Sequence, residues 1–333
     1  MDDFTHIIPA YIGSSLGNLL PCSIDSLIVE QLMGGERHHL FKVTCDTDEI
    51  FAVAVRVNSV SSERDRLKSR REAHVLKFLD GDLAPRLYDF DESGRWFPEP
   101  VTSVSYVEGE PKVLNQMSAD SIEELGRALA RIHSVDTGEL SLPQGVYPTA
   151  ANASEYLIER LESSINSKIP QPDVELPAGV SEKFWLAYSK VCIAVINGLK
   201  DELFDSDERL SLVHGDVVGL NVIWRDHKPV LIDWEDTRLA EPAEEIAYTF
   251  TESKLDTSQR NAFWEGYSSQ AEKDLGALKA RVAVWEPVTA FGSAIWWLDR
   301  YARSLRVEAG GLDDGSAPKS REYYLNNALE RLH

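Results

Sequence analysis

One short segment holds polar residues whose types and spacing suit metal binding and proton transfer. It runs LVHGDVVGLNVIWRDHKPVLIDWED from Leu212 to Asp236 and places polar side chains between apolar runs. The polar candidates are His214, Asp216, Asn221 and Asp233. An Asn carbonyl oxygen and an Asp carboxylate are hard ligands of the kind Mg²⁺ prefers. A further Asp outside that pair is suited to orient a hydroxyl or accept its proton.

Two short runs of residues with high β-propensity are expected to bring these groups together. Val222–Trp224 and Val230–Ile232 flank the turn sequence RDHKP, a pattern that predicts a hairpin. A hairpin makes Asn221 and Asp233 neighbours, and Asp216 in a Gly-containing loop is expected to face the same point. This arrangement matches phosphoryl transfer, in which one Asp acts as base while an Asn and a second Asp hold metal.

A structural explanation of the same residues is the alternative. A lone His-x-Asp occurs by chance, and Asp-Trp after an apolar run can simply end a strand. The combined spacing of the four residues favours the chemical interpretation. His214 is the exception, because we interpret it as bracing the loop through hydrogen bonds.

A second signal lies upstream in FAVAVRV. Strand alternation puts one set of residues on one face and a smaller, partly charged set on the other: Phe51, Val53, Val55 and Val57 against Ala52, Ala54 and Arg56. Two small residues beside a cation leave room for a flat base and offer charge to its phosphates. Ala54 and Arg56 are therefore nucleotide-binding candidates.

A helix with a carboxylate on its apolar stripe follows. Ser62–Leu79 is predicted to be helical, with Ser62 as N-cap and Asp65 completing a capping box. Glu72 falls on the apolar stripe of this helix, where a charge is costly unless it is paired. Arg56 is the expected partner; the alternative is a solvated Glu72 at the edge of the stripe. Upstream, Gly34 and Gly35 could let backbone amides approach phosphates, although a Gly-Gly pair is usually only a turn.

The order of predicted elements indicates an α+β chain with two parts, a small β-rich part over 1–105 and a larger helical part over 106–333. Predicted strands are Leu40–Cys45, Ile50–Val57, Leu87–Phe90 and Val101–Val107. A helix is predicted around Ile122–Ile132, and long helical stretches at Ala153–Asn166, Ser181–Phe204, Ser258–Glu286 and Ala290–Val307.

The net charge, the apolar runs and the cysteines indicate which partners and which cellular location to expect. The 333 residues carry a net charge of −21, which argues against nucleic acid as a partner and is compatible with a cationic substrate. No apolar run approaches the ~20 residues that cross a bilayer, so no membrane association is expected. Cys22, Cys45 and Cys192 are scattered and predicted to be reduced, and the N-terminus lacks a signal pattern, so a cytoplasmic protein is expected.

These motifs together resemble the aminoglycoside phosphotransferase and choline kinase-like family, which has a protein-kinase-like bilobal fold. HGDVVGLN resembles the family's catalytic loop and LIDWED its metal-binding segment; VAVR, REAHVLKFL, SYVEGE and LGRALARIHSVD resemble upstream pieces. The resemblance implies Mg²⁺ and ATP or GTP as cofactors, Asp216 as base, and Asn221 and Asp233 as metal ligands. It further implies that Arg56 and Glu72 place the α/β-phosphates and that the backbone of Ser105, Tyr106 and Val107 pairs with the adenine edge.

Departures from the family pattern are informative. Arg56 replaces the usual Lys, and the two are not interchangeable in phosphate geometry. Trp-Glu follows Asp233, which argues against a flipping switch segment. Glu241 and Glu245, in EPAEEIAY, are interpreted as structural. Gly215 stands where choline kinases tend to have Asn, which favours the antibiotic-kinase side.

The acceptor is the least determined part of the prediction. The leading expectation is a small, cationic hydroxyl compound of the aminoglycoside type, bound by a monomer or homodimer. A kinase for choline, thiamine, a sugar or another metabolite is the alternative, and a nucleotide-binding pseudokinase scaffold is a third. Substrate candidates are Glu235, Asp236, Glu286 and Asp299. The last two lie near Trp285 and Trp296, whose rings could bind a cation, although tryptophan at helical spacing is more often core. Retention of Asp216 argues against the scaffold, because a scaffold needs no base.

Overall fold

A computed structural model gives the fold of the chain. It describes residues 4–32, 38–46, 51–59, 62–81, 83–140, 142–143, 190, 210–225, 227–270, 274–306 and 320–331. The chain forms two units. The first comprises Met1–Pro111, Gly138–Pro143 and Asn221–Thr237; the second comprises Lys112–Thr137, Gln144–Leu220 and Arg238–His333.

An antiparallel five-stranded sheet dominates the first unit. Its strands are β1 (Leu27–Leu32), β2 (His38–Cys45), β3 (Ala52–Asn58), β4 (Leu87–Asp91) and β5 (Val101–Ser105), in the order β1-β2-β3-β5-β4. The four strands predicted in this part of the chain are confirmed as β2 to β5, with bounds shifted by up to about two residues. β1 was not predicted.

The buried face of β3 is the one that alternation predicted. Val53, Val55 and Val57 are fully buried, whereas Arg56 and its neighbours on the other face are half-buried. The unpredicted helix α1 (Ile8–Leu16) packs its apolar side into the same core cluster. The face of β3 that carries Val53, Val55 and Val57 therefore packs in the core, and the opposite face, which carries Arg56, is available for polar contacts.

Helix α2 (Glu63–Leu79) carries Glu72, the carboxylate predicted to pair with Arg56. The Ser62 side chain accepts a hydrogen bond from the Asp65 amide, and Asp65 bonds back to the Ser62 amide, so the predicted capping box is confirmed. The helix ends at Asp80, which adopts a left-handed backbone with φ 45° before Gly81.

A small sheet completes the first unit. It pairs β6 (Glu110–Pro111) with β8 (Val222–Arg225), and β8 with β9 (Lys228–Leu231). β8 and β9 are the hairpin predicted from the two apolar runs.

Helices make up most of the described second unit. They are α3 (Ala119–His133), α4 (Pro242–Ser253), α5 (Thr257–Ser268), α6 (Leu275–Arg306) and α7 (Arg321–Glu330), with the strand pair β7 (Ser211–Val213) and β10 (Arg238–Ala240). α3 and α5 cross closely at Gly126 and Gly266, where a Cβ atom on either glycine would collide with the backbone of the other helix. This close approach brings the end of α3 to α5.

The predicted break between the last two long helices is in the wrong place. The chain was expected to be helical over 258–286 and again from 290, but α5 ends at Ser268 and α6 continues through Pro287. Proline removes one helical hydrogen bond. Buried Trp285, Val288 and Phe291 lie on both sides of it, and their burial offsets that loss. The predicted helices at 153–166 and 181–204 lie outside the described residues, apart from Lys190, which is helical.

The expectation of reduced cysteines is wrong for two of the three. Cys22 and Cys45 form a disulfide with a Cα–Cα distance of 6.0 Å. Their separation of 23 residues gives no motif, and only the pairing of Leu27 with Cys45 in β1 and β2 brings them together. The cytoplasmic location stays a prediction with one of its supports removed. No helix in the described part of the chain is long and apolar enough to cross a membrane.

Candidate active site

Arg56 joins two carboxylates in the first unit. Its Nη1 lies 3.1 Å from Asp233 Oδ1, and its Nη2 forms an ion pair with Glu72 Oε2. The Glu72 side chain is buried, whereas that of Asp233 is 39% exposed. The pairing of Arg56 with Glu72 expected from the apolar stripe of α2 is therefore present, and a solvated Glu72 is not.

Glu72 also contacts the segment that carries Asp233. Its Oε1 accepts a hydrogen bond of 3.3 Å from the Trp234 amide. Asp233 has a left-handed backbone, φ 65° and ψ 62°, which is uncommon outside glycine. Trp234 is fully buried and donates its indole N–H to the Leu231 carbonyl at 2.9 Å. These contacts hold the chain in the turn that presents the Asp233 carboxylate.

The β8–β9 hairpin sets Asn221 against the start of this turn. Val222 pairs with Leu231, and the Ile232 amide donates to the Asn221 carbonyl at 2.9 Å. Asp233 is the next residue. An amide oxygen and a partly exposed carboxylate are the hard donors that Mg²⁺ takes together with phosphate oxygens and water, so the residues present fit that ion. Among the described residues, no cluster of three or more His, Cys, Asp or Glu has metal-binding geometry.

The two acids after Trp234 contact a lysine of α2. Lys68 Nζ lies 2.9 Å from Glu235 Oε1 and 2.9 Å from Asp236 Oδ1. His38 Nε2 lies 3.6 Å from the second Glu235 oxygen. Burial raises the pKa of Glu235, but the hydrogen bond from His38 and the charges of Lys68 and Arg56 outweigh it, and the pKa is lowered overall.

In the second unit, Asp216 is held by neighbours on its own loop and on α4. The Tyr248 hydroxyl donates to Asp216 Oδ1 at 2.7 Å. The Asp216 amide donates to His214 Nδ1 at 3.3 Å, and His214 is fully buried, so the predicted bracing hydrogen bond is present. Gly215, between them, has φ 91°, a conformation that favours glycine.

A buried pair, Glu245 and His133, stabilises the loop that contains Gly215 and Asp216. Glu245 on α4 accepts the Gly215 amide at 2.6 Å and contacts His133 Nε2 at 2.8 Å, and His133 Nδ1 lies 2.9 Å from the Tyr267 hydroxyl. Burial raises the pKa of Glu245, but the hydrogen bond and charge of His133, with smaller help from His214 and Gly215, lower it overall. The structural role predicted for Glu245 thus has a specific target, the residue before Asp216.

The predicted adenine-binding stretch follows β5. The Ser105 amide donates to the Arg86 carbonyl at 2.8 Å and the Tyr106 amide to the Ala52 carbonyl at 3.0 Å. These bonds fix the strand that ends beside half-buried Ala54 on β3. Because two amides are used internally, pairing of a base at Ser105–Val107 would depend on carbonyl groups and on the Val107 amide.

The acceptor candidates in the second unit have other partners or fall outside the description. Glu286 forms an ion pair with Arg260. Trp285 is buried and donates its indole N–H to Glu241 at 3.0 Å. Arg300 lies over the Trp296 ring at 4.1 Å from its centroid, so that ring already faces a cation. The Asp299 side chain and the Gly34-Gly35 pair are outside the described residues.

Three residues that contact the site were not predicted from the sequence. Lys68 precedes Glu72 by one helical turn and Tyr248 follows Glu245 by three positions, so each shares a helix face with a residue already selected. Applying that spacing would have found both. His133 ends the amphipathic α3, but its partners come from α4 and α5, and local spacing gives no signal for them.

The chain has the protein-kinase-like fold, as its similarity to solved kinase structures shows. An ethanolamine kinase from Plasmodium vivax superposes with a TM-score of 0.67 at 16% identity, covering 98% of this chain and 87% of that one. A choline kinase from Cryptosporidium parvum gives 0.63 at 14% identity, covering 98% and 94%. The GDP and kanamycin complex of APH(2″)-IIia gives 0.59 at 15% identity, covering 98% and 96%.

The sequence itself identifies the family. Residues 31–283 match the phosphotransferase enzyme family, APH, so the chain belongs to that family and is a phosphotransferase. No curated protein sequence matches the chain significantly. The α+β fold class and the resemblance found from the motifs are both confirmed.

Proposed function

We propose that this protein transfers the γ-phosphate of a magnesium-bound nucleoside triphosphate to a hydroxyl group of a small molecule. The observation that carries the proposal is Arg56, which joins Glu72 on α2 to Asp233. Arg56 lies between the buried Glu72 carboxylate and the partly exposed Asp233 carboxylate. Its guanidinium is therefore suited to bind phosphate oxygens, and Asp233 is suited to bind a metal ion. Family membership supports the same reaction.

At the nucleotide end, Glu72 holds Arg56 in place through their ion pair. Arg56 would then contact the α/β-phosphates with two N–H groups of its planar guanidinium. Asn221 and Asp233 would hold Mg²⁺, and the ion would supply positive charge to the phosphates. The GDP in the APH(2″)-IIia complex makes guanine nucleotides a donor to test beside adenine nucleotides.

At the acceptor end, Asp216 is the proposed base. The acceptor oxygen forms a bond to the γ-phosphorus, the bond from that phosphorus to the bridging oxygen breaks, and the hydroxyl proton passes to the Asp216 carboxylate. The Tyr248 hydroxyl, 2.7 Å from Oδ1, restricts rotation of this carboxylate. The His214 and Glu245 hydrogen bonds hold the backbone on either side of Gly215.

For the acceptor, we propose a small cationic hydroxyl compound, with aminoglycoside-type compounds first and amino alcohols such as choline or ethanolamine second. The net charge of −21 favours a cation. The kanamycin complex and the ethanolamine kinase among the structural neighbours suggest these two groups. Resistance to an antibiotic would be the biological purpose in the first case and metabolism in the second.

Two substitutions test the assigned roles separately. Asp216→Asn removes the base, so nucleotide binding is expected to persist while turnover falls by about 10²–10⁴-fold. Asp233→Asn removes a metal ligand and is expected to abolish the metal dependence of nucleotide binding. Unchanged turnover in the first variant, or tight Mg²⁺-dependent binding in the second, would refute the corresponding assignment.

The acceptor is identified by a transfer screen read by mass spectrometry. The protein, Mg²⁺ and either ATP or GTP are incubated with aminoglycosides, other antibiotics, choline, ethanolamine, thiamine and sugars. The expected result is one acceptor that gains the mass of a phosphate with the wild type and does not with Asp216→Asn. Hydrolysis of nucleotide with no acceptor modified across the panel would contradict the proposed acceptor classes.

A further inference from the structure

Helix α2 carries a buried lysine, Lys68, that contacts the two acidic residues after Trp234. Lys68 lies one turn before Glu72 and is only 9% exposed. Its ammonium lies 2.9 Å from both a Glu235 oxygen and an Asp236 oxygen, with a further hydrogen bond of 3.1 Å to the second Asp236 oxygen. Both partners come directly after Trp234.

The two carboxylates favour the charged form of Lys68 despite its burial. Burial lowers the pKa of Lys68, but the charges and hydrogen bonds of Asp236 and Glu235 outweigh it and raise the pKa overall. A buried ammonium with no anionic partner is costly, so Lys68 and the two acids depend on each other. Glu235 is additionally contacted by His38 at the start of β2.

Two separate sets of contacts, a hydrogen bond and a pair of ion pairs, therefore connect α2 to residues 234–236. The Glu72 carboxylate accepts the Trp234 amide, and Lys68 holds the side chains of the two residues that follow. Between them, Trp234 is fully buried. Asp233 precedes these contacts and has the uncommon left-handed backbone, so its orientation depends on how firmly the next residues are held.

We propose that Lys68 is a positioning residue that holds Glu235 and Asp236 so that Asp233 presents its carboxylate to the metal ion. This inference rests on the proposed function, because it takes Asp233 as the metal ligand. Glu235 and Asp236 then have a structural role in place of binding a cationic acceptor, because both form ion pairs with Lys68.

Electrostatics and positioning predict opposite effects of removing Lys68. Loss of a positive charge close to the metal would by itself strengthen Mg²⁺ binding. Loss of a residue that orients a ligand weakens metal binding, typically by 10–100-fold for groups behind the ligands. The direction of the change thus separates the two explanations.

The experiment measures binding of a triphosphate analogue that cannot transfer its γ-phosphate, by calorimetry, first in EDTA and then across a Mg²⁺ titration. For Lys68→Met, we expect an unchanged analogue affinity in EDTA and a Mg²⁺ half-saturation concentration raised by about tenfold. Mn²⁺ replaces Mg²⁺ in a second titration followed by electron paramagnetic resonance, which reports bound metal without any turnover.

Matched variants show whether the effect belongs to the ion pairs. Lys77→Met removes an exposed lysine from the same helix and is expected to leave both titrations unchanged. Lys68→Arg keeps the charge and is expected to recover most of the metal affinity. Lys68→Gln removes the same charge while keeping a polar side chain, and it serves if Lys68→Met does not fold. It is expected to weaken metal binding as well.

The outcomes distinguish this inference from the function on which it rests. Unchanged or tighter metal binding in Lys68→Met, with normal Mg²⁺ dependence in the wild type, would overturn the positioning role alone. Equal loss of analogue affinity with and without metal would also overturn it, because that pattern indicates general damage to the unit. Absence of any Mg²⁺ dependence in the wild type would overturn the metal assignment and the inference with it.

Discussion

The buried contact between Glu245 and the loop of Asp216 gives the most stringent test of how the second unit supports catalysis. The perturbation is Glu245→Ala. It removes the acceptor of the Gly215 amide, 2.6 Å away, and the partner of His133, 2.8 Å away. Of the two groups left behind, His133 is buried and Gly215 is half-buried.

The expected cost follows from those two losses. A hydrogen bond to a charged group contributes about 1.5–3 kcal/mol, and breaking a buried pair by removing one partner costs about 3–5 kcal/mol. We expect Glu245→Ala to lower the free energy of unfolding by about 4 kcal/mol. Glu245→Gln keeps an acceptor for Gly215 and a polar neighbour for His133, so its expected cost is about 1 kcal/mol. Turnover should fall with Glu245→Ala, because Gly215 precedes Asp216.

The assay is urea unfolding at pH 7, followed by far-UV circular dichroism and by tryptophan fluorescence. Coincident transitions establish the two-state condition under which the free energies are comparable. Glu265→Ala, an exposed acid on α5, is the control, with an expected change within about 0.5 kcal/mol. A loss below about 1 kcal/mol in Glu245→Ala would refute the reasoning, because it would mean that the amide and the imidazole find other partners at little cost.

Three further outcomes follow from the same contacts. Because the pKa of Glu245 is lowered in the fold, its stabilisation is present above the unfolded pKa of about 4.3 and is lost as pH falls through the folded pKa; acid unfolding should therefore be shallower in Glu245→Gln. Tyr248→Phe removes the hydrogen bond to Asp216 and should lower kcat by about tenfold with the nucleotide KM unchanged, whereas an unchanged kcat would exclude a role for that hydroxyl. Glu72→Gln breaks the ion pair with Arg56 and should raise the nucleotide Kd by about tenfold; an equal Kd in direct titration would contradict that role.

The pairing of Arg56 with Glu72 illustrates what local pattern can predict. Strand alternation gave the face of Arg56, helical spacing put Glu72 on an apolar stripe, and the cost of a buried charge required a partner. Both elements are short and regular, so side-chain direction follows from position. The same reasoning predicted the β8–β9 hairpin that pairs the residues next to Asn221 and Asp233.

The failures have a common physical origin. Helix α6 continues through Pro287 because buried side chains on both sides of the proline offset a lost hydrogen bond. The Cys22–Cys45 disulfide depends on the register of β1 with β2, and β1 was not apparent in the sequence. Each outcome is decided by packing between segments, which local propensity does not contain.

By itself, the sequence determined the family and the fold class and predicted which groups are suited to chemistry, because phosphoryl transfer needs particular side chains at spacings that short loops and hairpins impose. The tertiary structure alone decided which supporting residues contact those groups. Lys68 reaches Glu235 and Asp236, and His133 reaches Glu245, across more than a hundred residues of chain. Such partners are chosen by burial, since a charge enclosed by packed helices must be neutralised by whatever side chain the fold brings within reach.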